Sequence, residues 1–183
     1  MIDVDTDYDA VVYDLDGTLV RLRVDWETVA TEVGSVLDAA GFELDGRDLW
    51  GMIDLADEEG LLGRVEETIA PHEKAGARAS YPVLGADHLT ELALPAAVCS
   101  LNCEDACRIA LREHDLDDRI EAVVGRDSLS TRKPDPEPLL TAIDSLPTSP
   151  ERTVFVGDSK TDEVTAERAG VPFSYVGDGP TDL

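Results

Sequence analysis

The sequence has few basic residues and no long apolar run. Of its 183 residues only 15 are Lys or Arg while 40 are Asp or Glu, so the formal net charge is −25 at pH 7. A protein that binds nucleic acid needs a basic face to meet the phosphates, and no cluster of Lys or Arg supplies one. A membrane-spanning helix needs a run of about 18 or more apolar residues, and the sequence contains no run of that length. We therefore predict neither a nucleic-acid partner nor a membrane partner.

Cysteine is also scarce, and its pattern does not indicate a metal site. Cys99, Cys103 and Cys107 recur at helical spacing after a predicted strand. A zinc site usually needs four ligands in a recognisable framework, so these three residues are predicted to be buried free thiols. The first five residues, 1–5, are acidic where a signal peptide would be basic and then apolar. A cytoplasmic protein is expected.

Lysine is the rarest charged residue, with only Lys74, Lys133 and Lys160 among the 15 basic positions. Few lysines combined with abundant Asp are typical of adaptation to a salty cytosol. Exposed carboxylates repel one another strongly at low ionic strength and are screened at high ionic strength. We therefore expect a halophilic protein whose stability falls in dilute buffer.

Short apolar runs alternate with helical patterns along much of the chain. A hydrophobic fraction of 43% is sufficient for a core, and the length suits one domain with an insertion. Such alternation predicts a doubly wound α/β fold, with a mostly parallel, five-stranded, Rossmann-like sheet that binds its ligand at the carboxyl ends of the strands. The predicted strands are 10–13, 96–99, 120–124, 153–156 and 172–176, and the helices between the later ones are 104–114, 137–146 and 161–169.

The first connection is the exception, because about 80 residues separate the first two predicted strands where a crossover needs only about a dozen. The segment contains helical patterns at 25–40, 47–58, 61–79 and 86–92, and a break or kink is expected at Pro71. The first three are predicted to form a small helical cap and the fourth to lead back to the sheet. The predicted division is a core domain of residues 1–22 and 83–183 and a cap domain of residues 23–82.

Paired carboxylates follow two of the predicted strands. Asp14 and Asp16 flank Leu15 at the end of the first strand, and Asp158 and Asp162 follow the strand at 153–156. Carboxylates that crowd together need a cation or a proton to relieve their repulsion. Oxygen ligands in this number favour Mg²⁺, which is usually found beside a phosphate.

The run Asp14-Leu15-Asp16-Gly17-Thr18 resembles the first motif of the haloacid dehalogenase-like hydrolase superfamily. The other motifs follow in the expected order, and the resemblance covers residues 10–176. Ser100 matches the hydroxyl residue of the second motif, Lys133 the lysine of the third, and Gly157-Asp158 with Asp162 the acidic fourth motif. The resemblance implies the phosphatase members with a helical cap, such as phosphoglycolate phosphatases.

The resemblance also implies catalytic roles for the acids. Asp14 would be the nucleophile that forms an aspartyl-phosphate, and Asp16 the general acid and then the general base. Asp14, the backbone carbonyl of Asp16 and Asp158 would bind Mg²⁺ directly, whereas Asp162 would act on the metal through water. Any single Asp at a strand end can also be a turn former or a helix cap, so the assignment depends on the whole set.

Phosphate binding and specificity are implied for other positions. Ser100 and the backbone N–H groups of Leu101 and Asn102 would receive phosphoryl oxygens at a helix start, although Ser100 alone would also suit a helix cap. Lys133 would neutralise the charge shared by the phosphoryl group and Asp14. The cap would exclude water and supply specificity contacts. Of the arginines near the cap, Arg21 and Arg23 are the first candidates for binding the substrate, because they follow the first motif most closely.

These observations favour a Mg²⁺-dependent phosphatase, monomeric or homodimeric, that acts on a small phosphate monoester. A phosphomutase shares every core motif, and a non-catalytic binding module could use the same fold. A haloacid dehalogenase is disfavoured because its relatives lack the second aspartate, present here as Asp16. A phosphonatase would need a cap lysine, for which Lys74 is the sole and weak candidate.

Overall fold

The computed structural model describes residues 8–177 and residue 179. Its strands are β1 Ala10–Tyr13, β2 Val20–Arg21, β3 Tyr81–Pro82, β4 Ala96–Cys99, β5 Ala122–Val124, β6 Thr153–Gly157 and β7 Phe173–Tyr175. Five parallel strands form the central sheet in the order β5-β4-β1-β6-β7, which confirms the predicted doubly wound α/β fold. A second, antiparallel ribbon pairs β2 with β3.

The sheet is apolar on both faces, as a parallel sheet covered by helices requires. The helices of the core are α4 Leu84–Glu91, α5 Glu104–Glu113, α6 Glu137–Asp144 and α7 Lys160–Ala169, with short 3₁₀ helices at Asp117–Arg119 and Pro150–Arg152. The bounds of the predicted strands and α-helices differ from the observed ones by at most two residues. Val11 and Tyr13 of β1 belong to the core on the face covered by α4 and α5, and Ala10 and Val12 belong to the core under α6 and α7.

Three helices make up the insertion between β2 and β3, namely α1 Trp26–Ala39, α2 Leu49–Glu58 and α3 Leu62–Arg78. They pack around an apolar cluster of their own, which includes Val33, Ile53 and Ile69. The β2–β3 ribbon pairs the two chain segments that enter and leave the insertion. The division at residues 22/23 and 82/83 stays a prediction, and residues 1–7, 178 and 180–183 of the predicted core lie outside the described residues.

The break expected at Pro71 does not occur, because α3 continues from Leu62 to Arg78. Proline removes one hydrogen bond to the carbonyl four residues earlier. Pro71 lies on the exposed side of α3, where water can satisfy that carbonyl, while Ile69 and Glu73 on the opposite side stay buried. Packing of the buried face therefore holds the helix together.

Two further expectations concern the cysteines and the membrane. Cys99, Cys103 and Cys107 are buried free thiols, as predicted. Burial raises the pKa of Cys99 and of Cys103 to about 12, so these thiols are uncharged. Within residues 8–177, no helix combines the length and the apolar character that a membrane span requires.

Candidate active site

The carboxyl ends of adjacent parallel strands bring the conspicuous acids together. Tyr13, the last residue of β1, is paired with Val156 in β6, so Asp14 and Asp158 emerge at the same edge of the sheet. Asp162 lies in the first turn of α7, four residues after Asp158. Carboxylate oxygens of Asp14, Asp158 and Asp162 all lie within 4.8 Å of one another, and the three residues are buried. Two segments about 140 residues apart in sequence thus form one acidic cluster.

Lys133 partly compensates this negative charge. Its ammonium donates a hydrogen bond to Asp14 Oδ1 at 2.7 Å and another to Asp162 Oδ1 at 2.5 Å. The other oxygen of Asp162, Oδ2, accepts from the backbone N–H of Ser159 at 3.1 Å and from its hydroxyl at 2.6 Å. Both carboxylate oxygens of Asp162 therefore accept hydrogen bonds from protein donors.

The turn after Asp16 depends on glycine. Gly17 has a φ of +92°, and a Cβ at this position would lie 1.9 Å from Asp158 Oδ2. Only glycine adopts this backbone region at little cost and also leaves space for the Asp158 carboxylate. Gly17 therefore lets the turn approach the acidic cluster closely.

Asp16 differs from Asp14 in its surroundings. Its Oδ1 accepts a hydrogen bond from the backbone N–H of Leu22 at 2.9 Å, and its side chain is 16% exposed. Burial raises the pKa of Asp16 to about 6, while the Leu22 hydrogen bond and Arg21 oppose that rise. A carboxyl group with a pKa in this range can exchange protons near neutral pH.

Burial likewise raises the pKa of Asp14 above its usual value, and Lys133 opposes the rise. Burial lowers the pKa of Lys133, but Asp14 and Asp162 outweigh it and keep the ammonium charged. Ionised Asp14 thus depends on the positive charge next to it.

A polar loop follows β4 at the same edge of the sheet. The Ser100 hydroxyl donates to Asn102 Oδ1 and accepts from the backbone N–H of Asn102, both at 3.2 Å. Ser100 and Asn102 are buried, and α5 begins two residues after Asn102. The loop therefore places these polar groups just before the N-terminus of α5, at the edge of the sheet where the acids lie.

Of the two arginines predicted at the site, the structure brings only Arg21 to the acids. Its Nη2 lies 3.7 Å from Asp158 Oδ2 and its Nη1 4.0 Å from Asp16 Oδ1. The Arg23 guanidinium instead lies over the Tyr81 ring, 5.3 Å from its centroid.

Two buried charged residues lie beside the site and were not predicted from the sequence. Glu73 of α3 is fully buried, and Arg126 follows β5 with 5% of its surface exposed. The sequence contained a signal for Glu73, because Val65, Ile69, Glu73 and Ala77 recur at every fourth position of α3. A glutamate in an otherwise apolar stripe indicates a buried charge with a partner.

A cavity of about 640 Å³ joins these groups to the inserted helices. On the sheet side it is lined by every acid of the site, by Lys133 and by the loop at 100–102. On the insertion side it is lined by Trp26, Asp48, Leu49 and Trp50. Trp50 is 43% exposed. The cavity thus has a charged floor and a largely apolar wall.

Comparisons with known proteins find similar hydrolases and phosphatases. The family model described as haloacid dehalogenase-like hydrolase matches residues 85–182. A phosphoglycolate phosphatase of Rhodospirillum rubrum is 36% identical over 89% of this chain and 77% of its own length. One from Cereibacter sphaeroides is 31% identical over 92% and 85%. A crystal structure of a putative haloacid dehalogenase-like hydrolase from Bacteroides fragilis has a TM-score of 0.70 and 26% identity, and the match covers 96% of this chain and 90% of that one.

Proposed function

The chain belongs to the haloacid dehalogenase-like hydrolases and is a phosphatase, and on that premise we propose that it hydrolyses a small phosphate monoester with Mg²⁺ through a phosphorylated Asp14. One observation carries the proposal. The Asp14 carboxylate faces the cavity, contacts the Lys133 ammonium at 2.7 Å, and shares its acidic cluster with Asp158 and Asp162.

The donor set suits a hard divalent cation. The clustered carboxylate oxygens are buried, and their like charges require more compensation than Lys133 alone provides. In the proposal Asp14, Asp158 and the backbone carbonyl of Asp16 hold Mg²⁺, and Asp162 orients a water molecule and Lys133. When bound, the ion supplies positive charge that keeps Asp14 ionised and neutralises the phosphoryl oxygens.

Asp14 and Asp16 divide the chemistry in two steps. In the first, an Asp14 oxygen bonds to phosphorus, the bond from phosphorus to the ester oxygen breaks, and Asp16 gives its proton to the leaving alcohol. In the second, Asp16 takes a proton from water, the water oxygen bonds to phosphorus, and the bond to Asp14 breaks to release inorganic phosphate. The raised pKa of Asp16 supports this alternation between acid and base.

The remaining polar groups hold the phosphoryl group during both steps. Lys133 neutralises charge between Asp14 and the transferred group. The Ser100 hydroxyl turns its proton from Asn102 Oδ1 to a phosphoryl oxygen, and the backbone N–H groups of Leu101 and Asn102 receive the other oxygens. Such a transfer depends on positioning and charge compensation more than on further covalent chemistry. Trp26, Leu49 and Trp50 would exclude water above the site.

Phosphoglycolate is the first substrate to test, because the matched relatives from two bacteria are named phosphoglycolate phosphatases. Arg21 would contact the carboxylate of such a substrate, since it is near Asp16 and Asp158. Arg23, stacked on Tyr81, is the weaker candidate. A salt-rich cytoplasm is the proposed environment, because the net charge of −25 needs screening.

The test is phosphate release from a panel of phosphorylated metabolites in high-salt buffer, with Mg²⁺ or with a chelator. Metal-dependent release by the wild-type chain, and none by Asp14→Asn, is the expected result. Asp118→Asn is a suitable control because Asp118 is exposed on a 3₁₀ helix away from the site. Turnover that survives in Asp14→Asn would remove the nucleophile, and release only with a sugar bisphosphate activator would favour a phosphomutase.

A further inference from the structure

Arg126 uses all of its hydrogen-bond donors. A guanidinium has five N–H groups, and each meets an oxygen here. Nε and Nη2 donate to the two carboxylate oxygens of Glu66, both at 2.7 Å. Nη1 and Nη2 donate to the two oxygens of Glu73 at 2.8 and 3.0 Å, and Nη1 also donates to the Leu101 carbonyl at 2.6 Å. Arg126 thus binds two glutamates of α3 and the loop after β4 at once.

The Glu73 carboxylate also accepts hydrogen bonds from the loop after β4, in addition to those from Arg126. Its Oε1 also accepts from Asn102 Nδ2 at 3.1 Å, and its Oε2 from the backbone N–H of Cys103 at 3.1 Å. Each oxygen therefore accepts two hydrogen bonds inside the protein. The residues of α3 and of the loop at 100–103 are joined through one fully buried carboxylate.

Glu73 determines which way the Asn102 side-chain amide faces. Because Nδ2 is held by Glu73, Oδ1 is directed to the Ser100 hydroxyl, which donates to it at 3.2 Å. The chain of contacts runs from Arg126 through Glu73 and Asn102 to Ser100. A buried network of this kind fixes one geometry when every member is paired.

Stability alone is a weak explanation for this network. Removing two full charges from water carries a large desolvation cost, and packed apolar side chains of similar volume are often as stabilising as a buried ion pair. Attachment of α3 to the core needs no contact with Asn102 or Cys103, since Glu66 provides an attachment without either. The contacts of Glu73 with the loop therefore require another explanation.

We propose that Glu73, clamped by Arg126, is a positioning residue that holds the loop at 100–103 in the conformation that receives phosphate. The inference rests on the proposed function, in which this loop binds the phosphoryl group. It assigns a role at the phosphate site to a residue of the inserted helices, 27 positions before Ser100 in the sequence.

Glu66 and Glu73 form a matched pair for the test. Both lie on α3 and both bind Arg126, but only Glu73 contacts the loop. The affinity of inorganic phosphate is measured by calorimetry with Mg²⁺ in high salt, together with kcat and KM for an aryl phosphate. Loss of charged hydrogen bonds to the loop in Glu73→Gln should weaken phosphate binding and raise KM by about tenfold or more. The smaller effect expected for kcat separates binding from chemistry.

Glu66→Gln should change both constants by about twofold at most, because the loop keeps its Glu73 contacts. Equal effects of the two variants would overturn the inference, because attachment of α3 to the core would then explain both. Wild-type phosphate affinity in Glu73→Gln would also overturn it. If Glu73→Gln does not fold, the double variant Glu73→Met with Arg126→Met removes both buried charges together. Wild-type phosphate affinity in that folded chain would overturn the inference, and weakened affinity would support it.

Calorimetry also separates this inference from the proposed function, because phosphate binding requires no turnover. A wild-type chain that binds phosphate but hydrolyses no ester refutes the proposed function, and weaker binding by Glu73→Gln would still support the inference. Ester turnover together with unchanged binding by Glu73→Gln refutes the inference alone.

Discussion

The Lys133 ammonium lies 2.7 Å from Asp14 Oδ1, although 119 positions separate the two residues in the sequence. The contact joins the loop before α6 to the end of β1, in the buried centre of the candidate site. Lys133 also contacts Asp162 at 2.5 Å, so one cation serves two of the three clustered acids. The positive charge on Lys133 is thus shared, and the cluster as a whole remains negative.

The turn at Gly17 gives the first prediction. Gly17→Ala places a methyl group 1.9 Å from Asp158 Oδ2 and should displace that carboxylate, so that metal-dependent turnover is lost. The positive φ should also cost about 1–2 kcal/mol of stability. Gly41→Ala is the control, because Gly41 has a φ of +91° with no atom within 4 Å of an added Cβ. Gly41→Ala should lose similar stability, measured by thermal unfolding, and keep its activity. Full activity in Gly17→Ala would contradict the geometry of the site.

Mg²⁺ should stabilise the folded chain through the acidic cluster. A ligand at about 100 times its dissociation constant stabilises the native state by about 2.7 kcal/mol, which raises Tm by about 5–10 °C in a domain of this size. The measurement is thermal unfolding with Mg²⁺ against KCl of equal ionic strength, so that screening of the acidic surface is matched. Asp158→Asn should lose the Mg²⁺ increment and Asp118→Asn should keep it. An increment that persists in Asp158→Asn would place the ion elsewhere.

The ion pairs between Arg132 and α2 give a third prediction. Arg132 contacts Asp54 at 2.6 Å and Asp57 at 3.0 Å, and the same helix carries Leu49 and Trp50 over the cavity. Exposed pairs contribute about 0–1 kcal/mol each and are screened by salt. The double variant Asp54→Asn with Asp57→Asn should therefore raise KM more at low salt than at high salt, with little loss of stability.

A charge-matched control for this prediction removes Glu58 and Glu59, as Gln, from the end of the same helix. These acids are exposed and do not contact Arg132. The control should leave KM unchanged at each salt concentration. Equal changes in both double variants would show that the total charge of the helix matters and the Arg132 contacts do not.

The pH dependence of kcat/KM should reveal the proton on Asp16. Burial raises the pKa of Asp16 to about 6, and the first step consumes the protonated form. For an alkyl phosphate, whose leaving group needs a proton, kcat/KM should therefore fall as pH rises above about 6. For p-nitrophenyl phosphate, whose leaving group needs none, the fall should be absent after correction for substrate ionisation. Identical profiles for the two esters would exclude Asp16 as the acid.

Local patterns were sufficient to predict most of the fold. Short apolar runs located the five strands of the sheet, and helical spacing located the seven α-helices of the described residues, all to within two residues. A strand buried on both faces is apolar throughout, and a helix packed on one face leaves a regular apolar repeat. The β2–β3 ribbon was missed, since two residues per strand carry no period. A break at Pro71 was expected wrongly, because a helix can continue past a proline where the lost hydrogen bond faces water, and a kink there stays a prediction.

Some residues of the candidate site were predicted and others were not, and the difference again depends on whether a local pattern fixes the residue's place in the fold. Motif residues such as Asp14 and Asp158 follow strands, and parallel strands must bring their carboxyl ends to one edge. Arg23 and Arg126 show that closeness to a motif in the sequence does not predict closeness to the site in the structure. Proximity to the first motif favoured Arg23, which stacks on Tyr81, while Arg126 lies far from that motif in sequence and is buried beside the loop at 100–103.

The sequence by itself determined the alternation of strands and helices, the position of the insertion, and the residues that the parallel sheet gathers at one edge. Those properties follow from the periodicity of apolar residues and from the order of the motifs. Tertiary structure alone decided which charges meet outside the motifs, because a long side chain on a helix can reach several neighbours and the backbone pattern does not choose among them. The burial of Glu73 between Arg126 and Asn102 is of that kind, since it depends on how α3 packs against the loop after β4.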